Sequence, residues 1–155
     1  RTSMAGEFLA ALSRHTILKG SLPESLPAEP NLDVVREGAR LARFKGFFNA
    51  AFQTRIAEVL KKRSRDECAA LLVGATYGGD LWELVQLGLW DDACPVMIAG
   101  SAPLKNLYVE LARELAGERG LEMLDAPVEI SQHAAAIGAL KVAFFGKQAA
   151  TMDFA

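Results

Sequence analysis

A glycine and a serine separate a short apolar run from a helical pattern in CPVMIAGSAPLKNLYVELARELA, residues 94–116. Gly100 lets the backbone come close to a flat or anionic ligand, and a helix starting near Pro103 directs its first amide groups at such a ligand. If the apolar run is a parallel strand, this turn lies at its carboxyl end, where open α/β sheets bind ligands. The alternative is a tight strand–helix turn in which Ser101 caps the helix and Pro103 occupies its first turn.

Two further residues able to do chemistry lie near the ends of the first predicted helix. Glu7 follows Gly6 in the first turn, where a carboxylate either binds a ligand or a metal-bound water or simply complements the helix dipole. His15 lies near the end of the same helix. A surface or C-terminal capping histidine is the ordinary case there, and a catalytic histidine is the alternative.

Composition and cysteine usage exclude several classes of function. The chain has 155 residues, of which 51% are hydrophobic, and its 17 basic and 19 acidic residues give a net charge of -2. This composition indicates a folded domain. It lacks the net positive charge that would attract nucleic acid or an anionic membrane. Cys68 and Cys94 lack a CxxC or HxxxH partner pattern, so we expect buried free thiols in a reducing compartment and no metal site. No apolar run approaches the ~20 residues of a membrane span, which predicts a cytoplasmic protein.

The elements that must position these residues differ along the chain. Residues 1–20 predict a helix, with a strand considered for Thr2–Ala5, and the three prolines of residues 21–33 predict a loop. Residues 34–91 carry apolar positions at helical spacing. Within them Ser64 and Glu67 form a capping-box signature, and the basic run from Lys61 ends a helix. Gly74, Gly78 and Gly79 are expected to interrupt the helix that follows, through close packing, a bend or contact with a ligand.

The last third, residues 94–147, reads strand–helix–strand–helix, with strand candidates PVMIA and LEML and a final helix capped near Ser131. This spacing predicts a parallel unit with a right-handed crossover. Two or three strands are too few for a covered parallel sheet. We therefore expect the sheet to be shared with residues or a partner chain outside this sequence. The chain opens Arg-Thr-Ser, which suggests that it begins inside a longer reading frame.

Three stretches resemble the 2-dehydro-3-deoxygalactonokinase family. TSMAGEFLAALSRHTIL, residues 2–18, is similar to the family pattern T-x-M-T-G-E-L/F-x-x-L-L-x-x-H-S-I-L. Residues 36–81, from REGARLA to ECAALLVGATYGGDL, resemble a helical middle that ends in a G-L-L-I-G-A-E-like run. Residues 96–143 resemble the closing strand–helix pair. The resemblance covers essentially the whole chain but only the second half of the family's sequence.

The resemblance implies an ATP- and Mg²⁺-dependent kinase that phosphorylates 2-dehydro-3-deoxy-D-galactonate, an intermediate of galactonate degradation. The implied fold is α/β, an RNase H-like domain of the actin-like ATPase class with a helical insertion and a small, mainly parallel sheet. This chain would supply the C-terminal, adenosine-side half. The residues expected to contact the nucleotide are Gly74, Gly100, Ser101, Ala102 and Leu104.

The catalytic base and the phosphate loops are expected in the absent N-terminal half, so this chain alone should be inactive. Glu7 is a weak candidate for the base, and Glu7 and His15 are candidates for contact with the sugar acid. The expected partners are the sugar acid and the missing half or a partner chain, with a homo-oligomer left open. No metal ligand is assigned.

The sequence departs from the family pattern at several positions. Ala5 stands where the family has Thr, Thr76 replaces the Glu of the G-A-E-like run, and the closing helix reads QHAAAIGA. The family's N-terminal phosphate loop and its R-G-E-E-T-like and P-G-T-H-x-K-W-like motifs are missing. Two alternatives stay open: a regulatory or assembly module that kept the nucleotide-facing scaffold, and a phosphosugar-isomerase-like binding domain, which would need more parallel strands.

Overall fold

The computed structural model of the chain describes residues 3–91, 95–100 and 103–127, together with positions 130, 133, 136–141 and 144. Most of these residues are helical, and the described positions from 130 onward are helical and exposed. The elements follow in the order α1 (Ala5–His15), a 3-10 helix (Ile17–Ser21), α2 (Leu32–Lys45), α3 (Phe47–Val59), α4 (Arg65–Gln86), β1 (Val96–Ile98), α5 (Leu104–Arg119) and β2 (Met123–Asp125).

Side-chain caps explain where the two central helices begin. Ser64 accepts a hydrogen bond from the backbone of Glu67, whose side chain accepts one from the Ser64 backbone, so the predicted capping box at the start of α4 is confirmed. Asn31 caps α2 by accepting from the backbone amides of Asp33 and Val34. α3 ends at Val59 with Leu60 as its C-cap, so the basic run from Lys61 directly follows the helix end and does not form its last turn.

The core is built on an unusually close crossing of α2 and α4. A Cβ atom added at Gly38 would lie closer than 3.0 Å to the carbonyl oxygen of Leu71, and one at Gly74 closer than 3.0 Å to that of Val35. At Gly78 the same atom would overlap Ala39. Helices can approach this closely only where side chains are missing. These three glycines therefore set the short distance between α2 and α4. Every residue of α4 from Cys68 to Gly78 is buried.

The predicted interruption of α4 at its glycines is wrong. The helix runs unbroken from Arg65 to Gln86 and contains Gly74, Gly78 and Gly79. None of these three glycines has a positive φ. Close helix packing is therefore the role that the structure gives to Gly74 and Gly78, since burial against α2 offsets the low helix propensity of glycine.

The two short strands form a parallel pair on one side of the helical layer. Val96 pairs with Met123, Met97 with Leu124 and Ile98 with Asp125, and α5 makes the crossover between them. Gly120, with φ of 68°, ends α5 in the left-handed conformation. The α/β class with a small parallel sheet is thereby confirmed, in a chain that is mostly helical.

Some predicted elements differ from the structure or lie outside its described part. A strand was considered at Thr2–Ala5. Ala5 belongs to α1 and Met4 is the N-cap of that helix, so the described residues of this stretch do not form a strand. Among the described residues the sheet has two strands, fewer than the isomerase-like alternative requires. Thr2, Cys94 and the predicted cap Ser131 fall outside these residues. No helix in the described part is long and apolar enough to cross a membrane.

Candidate functional site

The predicted ligand turn lies at the carboxyl edge of the parallel sheet. β1 ends at Ile98, Gly100 is exposed, and α5 begins at Leu104 with Pro103 as its N-cap. A Cβ atom at Gly100 would meet only the Cβ of Lys105 at 3.9 Å, so one side of this backbone is open. Leu104 is 45% exposed. The turn thus offers an accessible backbone and the first amides of α5, while Ser101 and Ala102 lie outside the described residues.

Lys105 locks the beginning of α5 to the end of β2. Its Nζ donates to the backbone oxygen of Ala126 at 2.6 Å and pairs with the Asp125 carboxylate at 2.7 Å. The Lys105 side chain is only 10% exposed, and Ala126 in turn donates to Ile98 at 3.0 Å. Because this cation is already held by two oxygens, its role at the turn is to fix the sheet edge. No motif in the sequence distinguishes this lysine from a surface one.

A second feature is an open cleft of about 550 Å³ between the start of α1, the α2–α3 junction and the second half of α4. Its size is that of a small-molecule site. The walls are partly aromatic and carry a few polar groups; they are formed by Ser3, Met4, Ala5, Phe8, Ala42, Arg43, Gly46, Phe47, Phe48, Thr76, Gly79, Asp80, Trp82 and Glu83. Ser3, Met4 and Ala5 belong to the stretch that carries the N-terminal family resemblance.

Asp80 connects this cleft to the strand–helix unit. The Tyr108 hydroxyl, one turn into α5, donates to the Asp80 carboxylate at 3.0 Å. The rings of Tyr108 and Tyr77 lie 5.0 Å apart. Burial, and then the neighbouring Asp80 charge, raise the pKa of Tyr108 far above its usual range, so this hydroxyl keeps its proton. Burial and the charges of Asp80 and Glu7 also raise the pKa of Tyr77.

The arginine in the cleft is already engaged. The Arg43 guanidinium forms an ion pair with Glu118 and lies 4.6 Å from the ring centre of Trp82 and 5.0 Å from that of Phe44. The guanidinium of Arg119 approaches the same Trp82 ring at 5.2 Å. These contacts hold Arg43 against α5 and the aromatic wall rather than in the open volume of the cleft.

The structure brings together only some of the residues singled out from the sequence. Gly100 and Leu104 share the strand–helix turn. Glu7 is exposed in the first turn of α1, close enough to Tyr77 to affect its pKa, whereas His15 is exposed in the last turn of the same helix. Gly74 is buried beneath α2, and packing against Val35 accounts for it without a ligand.

Several residues that form the cleft carried no recognisable signal in the sequence. Asp80 and Trp82, which line the cleft, are ordinary members of an amphipathic helix when read along the chain, and so is Tyr108, which does not line the cleft but donates to Asp80. One hint was available: Thr76 stands where the family has Glu, and Asp80 follows one helical turn later, which places both residues on the same wall of the cleft.

Metal-binding and thiol chemistry have little support among the described residues. They contain no group of three or more His, Cys, Asp or Glu side chains placed to hold a metal ion. Cys68 is a free, buried cysteine, and burial raises the pKa of its thiol, with the charge of Glu58 acting in the same direction. A thiol in this state is inert, as expected for a packing residue.

A parallel strand–turn–helix unit with an open turn, joined to a helical layer that carries a polar and aromatic cleft, defines an α/β domain with two candidate ligand sites. The family model described as 2-keto-3-deoxy-galactonokinase matches residues 1–140. The chain therefore belongs to the 2-keto-3-deoxy-galactonokinase family.

The fold is also similar to a solved structure. The crystal structure of a protein from Sinorhizobium meliloti that carries the provisional name 2-dehydro-3-deoxygalactonokinase matches with a TM-score of 0.69 and 20% sequence identity. The match covers 90% of this chain and 45% of that protein, so the chain spans less than half the length of this structural neighbour. Among curated proteins no significant match exists.

Proposed function

We propose that this chain is the adenosine-side part of an ATP-dependent sugar-acid kinase. The reaction transfers the terminal phosphate of ATP to the primary hydroxyl of 2-dehydro-3-deoxy-D-galactonate, a step of galactonate degradation in the cytoplasm. The observation that carries the proposal is the family match over residues 1–140. The similar fold of the S. meliloti protein agrees with an RNase H-like domain of the actin-like ATPase class.

In this proposal the nucleotide lies against the turn after β1. Gly100 leaves its backbone open on one side, and the first amides of α5 point at the carboxyl edge of the sheet. Ser101, Ala102 and Leu104 complete the predicted contact. Lys105 fixes the turn through Ala126 and Asp125 but does not serve the phosphates.

Mg²⁺ would neutralise charge on the transferring phosphoryl group, as in other phosphoryl transfers. The described residues contain no carboxylate cluster that holds the ion by itself, so we propose that the phosphates and a complementing half bind it. The same half would supply the catalytic base. Two strands of three residues rarely form an independent sheet, which is the physical reason for expecting that complement or a second copy.

Isothermal titration of MgATP into the chain tests the nucleotide site. Gly100→Val should weaken binding at least about tenfold, because its side chain would fill the open side of the turn and because valine rarely adopts the φ of 158° found at Gly100. Gly117→Ala, within α5 and away from the turn, is the control, since nothing lies within 4 Å of its Cβ position.

Phosphoryl transfer is then measured with the chain alone and mixed with a polypeptide carrying the first half of the family sequence. The proposal expects transfer to the sugar acid only in the mixture. Absence of MgATP binding, or tight binding of a sugar phosphate by the chain alone, would contradict it.

A further inference from the structure

We infer that the outer face of α3 is the contact surface of a homodimer, in which α3 of one copy packs against α3 of a second copy. The outer face is formed by Phe48, Phe52, Ile56 and Val59 of the helix and by its C-cap, Leu60. It belongs to the helical layer, since α3 packs on α2, α4 and the 3-10 helix. The inference does not depend on the proposed function.

The side chains of α3 are distributed in the opposite way to those of an ordinary surface helix. Its buried residues are small, namely Ala50, Ala51, Thr54 and Ala57. The bulky apolar residues of the outer face lie on the other side, within roughly a third of the circumference at 3.6 residues per turn. Because a helix that is apolar on both sides is normally buried on both, the outer face requires a cover.

The exposed area of the outer face matches what a dimer needs. Phe48 is 77% exposed, Leu60 74%, Val59 52% and Phe52 50%, and Ile56 is half-buried. With about 150–250 Å² for an aromatic residue and somewhat less for an aliphatic one, these fractions give roughly 500 Å² of apolar surface. A standard interface buries about 800 Å² per partner, of which about 65% is apolar in homodimers. The outer face therefore supplies the apolar part of one such interface.

Two copies of this surface can meet without electrostatic repulsion. A two-fold interface places each patch against itself, so a charged patch would oppose its own charge. The five residues of the outer face are all uncharged. Arg55, at the border of the face, is already paired with Glu58 at 2.5 Å within the same helix. Self-association thus leaves no charge of the outer face buried.

The spacing of the outer face suits packing against itself. Phe48, Phe52, Ile56 and Leu60 follow one another at intervals of four residues, and such a row forms a ridge along a helix. When ridges of this kind on two helices interdigitate, the helix axes cross at about −50° and lie ~8–10 Å apart. The middle of the row falls between Phe52 and Ile56. This register places the two-fold axis there and brings the two Phe52 rings close together.

α3 is held in place within a single copy. The Ser21 hydroxyl of the 3-10 helix is fully buried, donates to Glu58 at 3.0 Å and accepts from Arg55 at 3.1 Å. The ring of Phe48 packs edge to face on that of Phe47, with ring centres 5.6 Å apart. A surface that is already ordered loses less conformational entropy on association, which favours the dimer.

Sedimentation velocity over a concentration series measures the association. Interfaces of standard size have dissociation constants from micromolar downward, so at about 100 μM the chain should sediment with twice its mass of 16.7 kDa. Phe52→Glu should weaken the association at least about hundredfold, because two charges would enter an apolar contact. Leu87→Glu is the control. Leu87 is 60% exposed and is the C-cap of α4, outside the outer face, so this change should leave the association unaltered.

A mixture of two charged variants tests the two-fold symmetry. Phe52→Lys should dissociate the dimer as Phe52→Glu does, because each variant brings two like charges together near the axis. An equimolar mixture should regain the dimer, since a glutamate from one copy then faces a lysine from the other. Urea unfolding checks that both variants are folded. The sedimentation of the unaltered chain tests the inference without any variant, so a folding defect cannot hide the result.

The inference is overturned if the unaltered chain is monomeric at about 100 μM. It is also overturned if a folded Phe52→Glu variant remains dimeric, or if the mixture of the two charged variants stays monomeric. Two further results would assign the outer face to another partner and equally remove the inference. In both, the chain is monomeric and needs Phe52 either to bind the polypeptide with the first half of the family sequence or to float with anionic vesicles.

Discussion

The α2–α4 crossing and the α5–sheet unit are held in different ways. At the crossing, three glycines let backbone touch backbone, and the interface is buried and apolar. α5 instead reaches α2 through a row of ion pairs between long side chains, Arg36 with Glu110 and Glu114, Arg40 with Glu114, and Arg43 with Glu118. It reaches the far half of α4 through the Tyr77–Tyr108 ring contact and the Tyr108–Asp80 hydrogen bond. Its apolar face also joins the buried core, through Leu111, Ala112, Leu115 and Ala116.

This difference indicates which of the two regions tolerates substitutions. Backbone atoms in a helix crossing cannot move without shifting a whole element, so added volume there is not accommodated. Partly exposed ion pairs are screened by salt and individually contribute little. We therefore expect the helical layer to be the rigid part and the α5–sheet unit, which carries the proposed nucleotide turn, to open more readily.

The largest expected effect is at the crossing. Gly74→Ala should lower the free energy of unfolding by about 3 kcal/mol, because its Cβ would overlap the Val35 carbonyl and the helices must separate. Gly79→Ala is the matched control on the same helix, since its Cβ would make an ordinary 3.6 Å contact with Ala42. Urea unfolding measures both. Equal stabilities for the two variants would disprove the tight crossing.

The next effect concerns the contact between the two regions. Tyr108→Phe removes a partly buried hydrogen bond to Asp80 and should cost about 1 kcal/mol at neutral pH. The folded-state pKa of Tyr108 is raised above its ordinary value near 10, so the unfolded chain loses this proton first. Stability from the protonated hydroxyl is thus fully present below about pH 10 and is lost as the pH rises further.

Unfolding measured between about pH 9 and 11 checks this sign. The parent chain should lose stability with a steeper slope than Tyr108→Phe. The slope of the variant should not vanish, because the pKa of Tyr77 is raised as well. A parallel pH profile for the two proteins would show that Tyr108 titrates like an exposed tyrosine.

A smaller effect is expected from the ion pairs. Glu114→Gln weakens the pairs with Arg36 and Arg40 and should cost up to about 1 kcal/mol at low salt, shrinking at high salt. Hydrogen exchange should quicken in α5 more than in α4. Arg113→Gln, which removes a pair within α5 to Glu110, is the control and should leave both rates nearly unchanged. Faster exchange confined to α4 would refute the proposed division.

The smallest expected effect is an increase in stability. Gly117→Ala should raise the free energy of unfolding by about 0.5 kcal/mol, because the added Cβ meets nothing within 4 Å and alanine favours the helix. The contrast with Gly74 uses the same chemical change in the two regions. A loss of stability at Gly117 would mean that α5 is packed as closely as the crossing. Thermal unfolding is sensitive enough to detect it.

The candidate site was only partly predictable. The turn around Gly100 follows from a strand-to-glycine-to-helix pattern, which is local in sequence. The cleft does not, because Asp80 and Tyr108 meet across 28 positions and each looks like an ordinary helical residue by itself. Gly74 was predicted to contact the nucleotide or to break the helix, yet its neighbour is the backbone of α2.

The sequence alone determined the local elements: the capping box at Ser64, the proline-rich loop, the strand–helix–strand order and the family resemblance. These depend on residues within a few positions of one another, and propensity and periodicity encode them directly. Only the tertiary structure decided that α4 continues through its glycines. It also decided that Lys105 holds the sheet edge together, and that an acidic, aromatic cleft lies beside α1. Each of these features depends on which element, distant in sequence, packs alongside. The helical spacing of apolar residues does not specify which element that is.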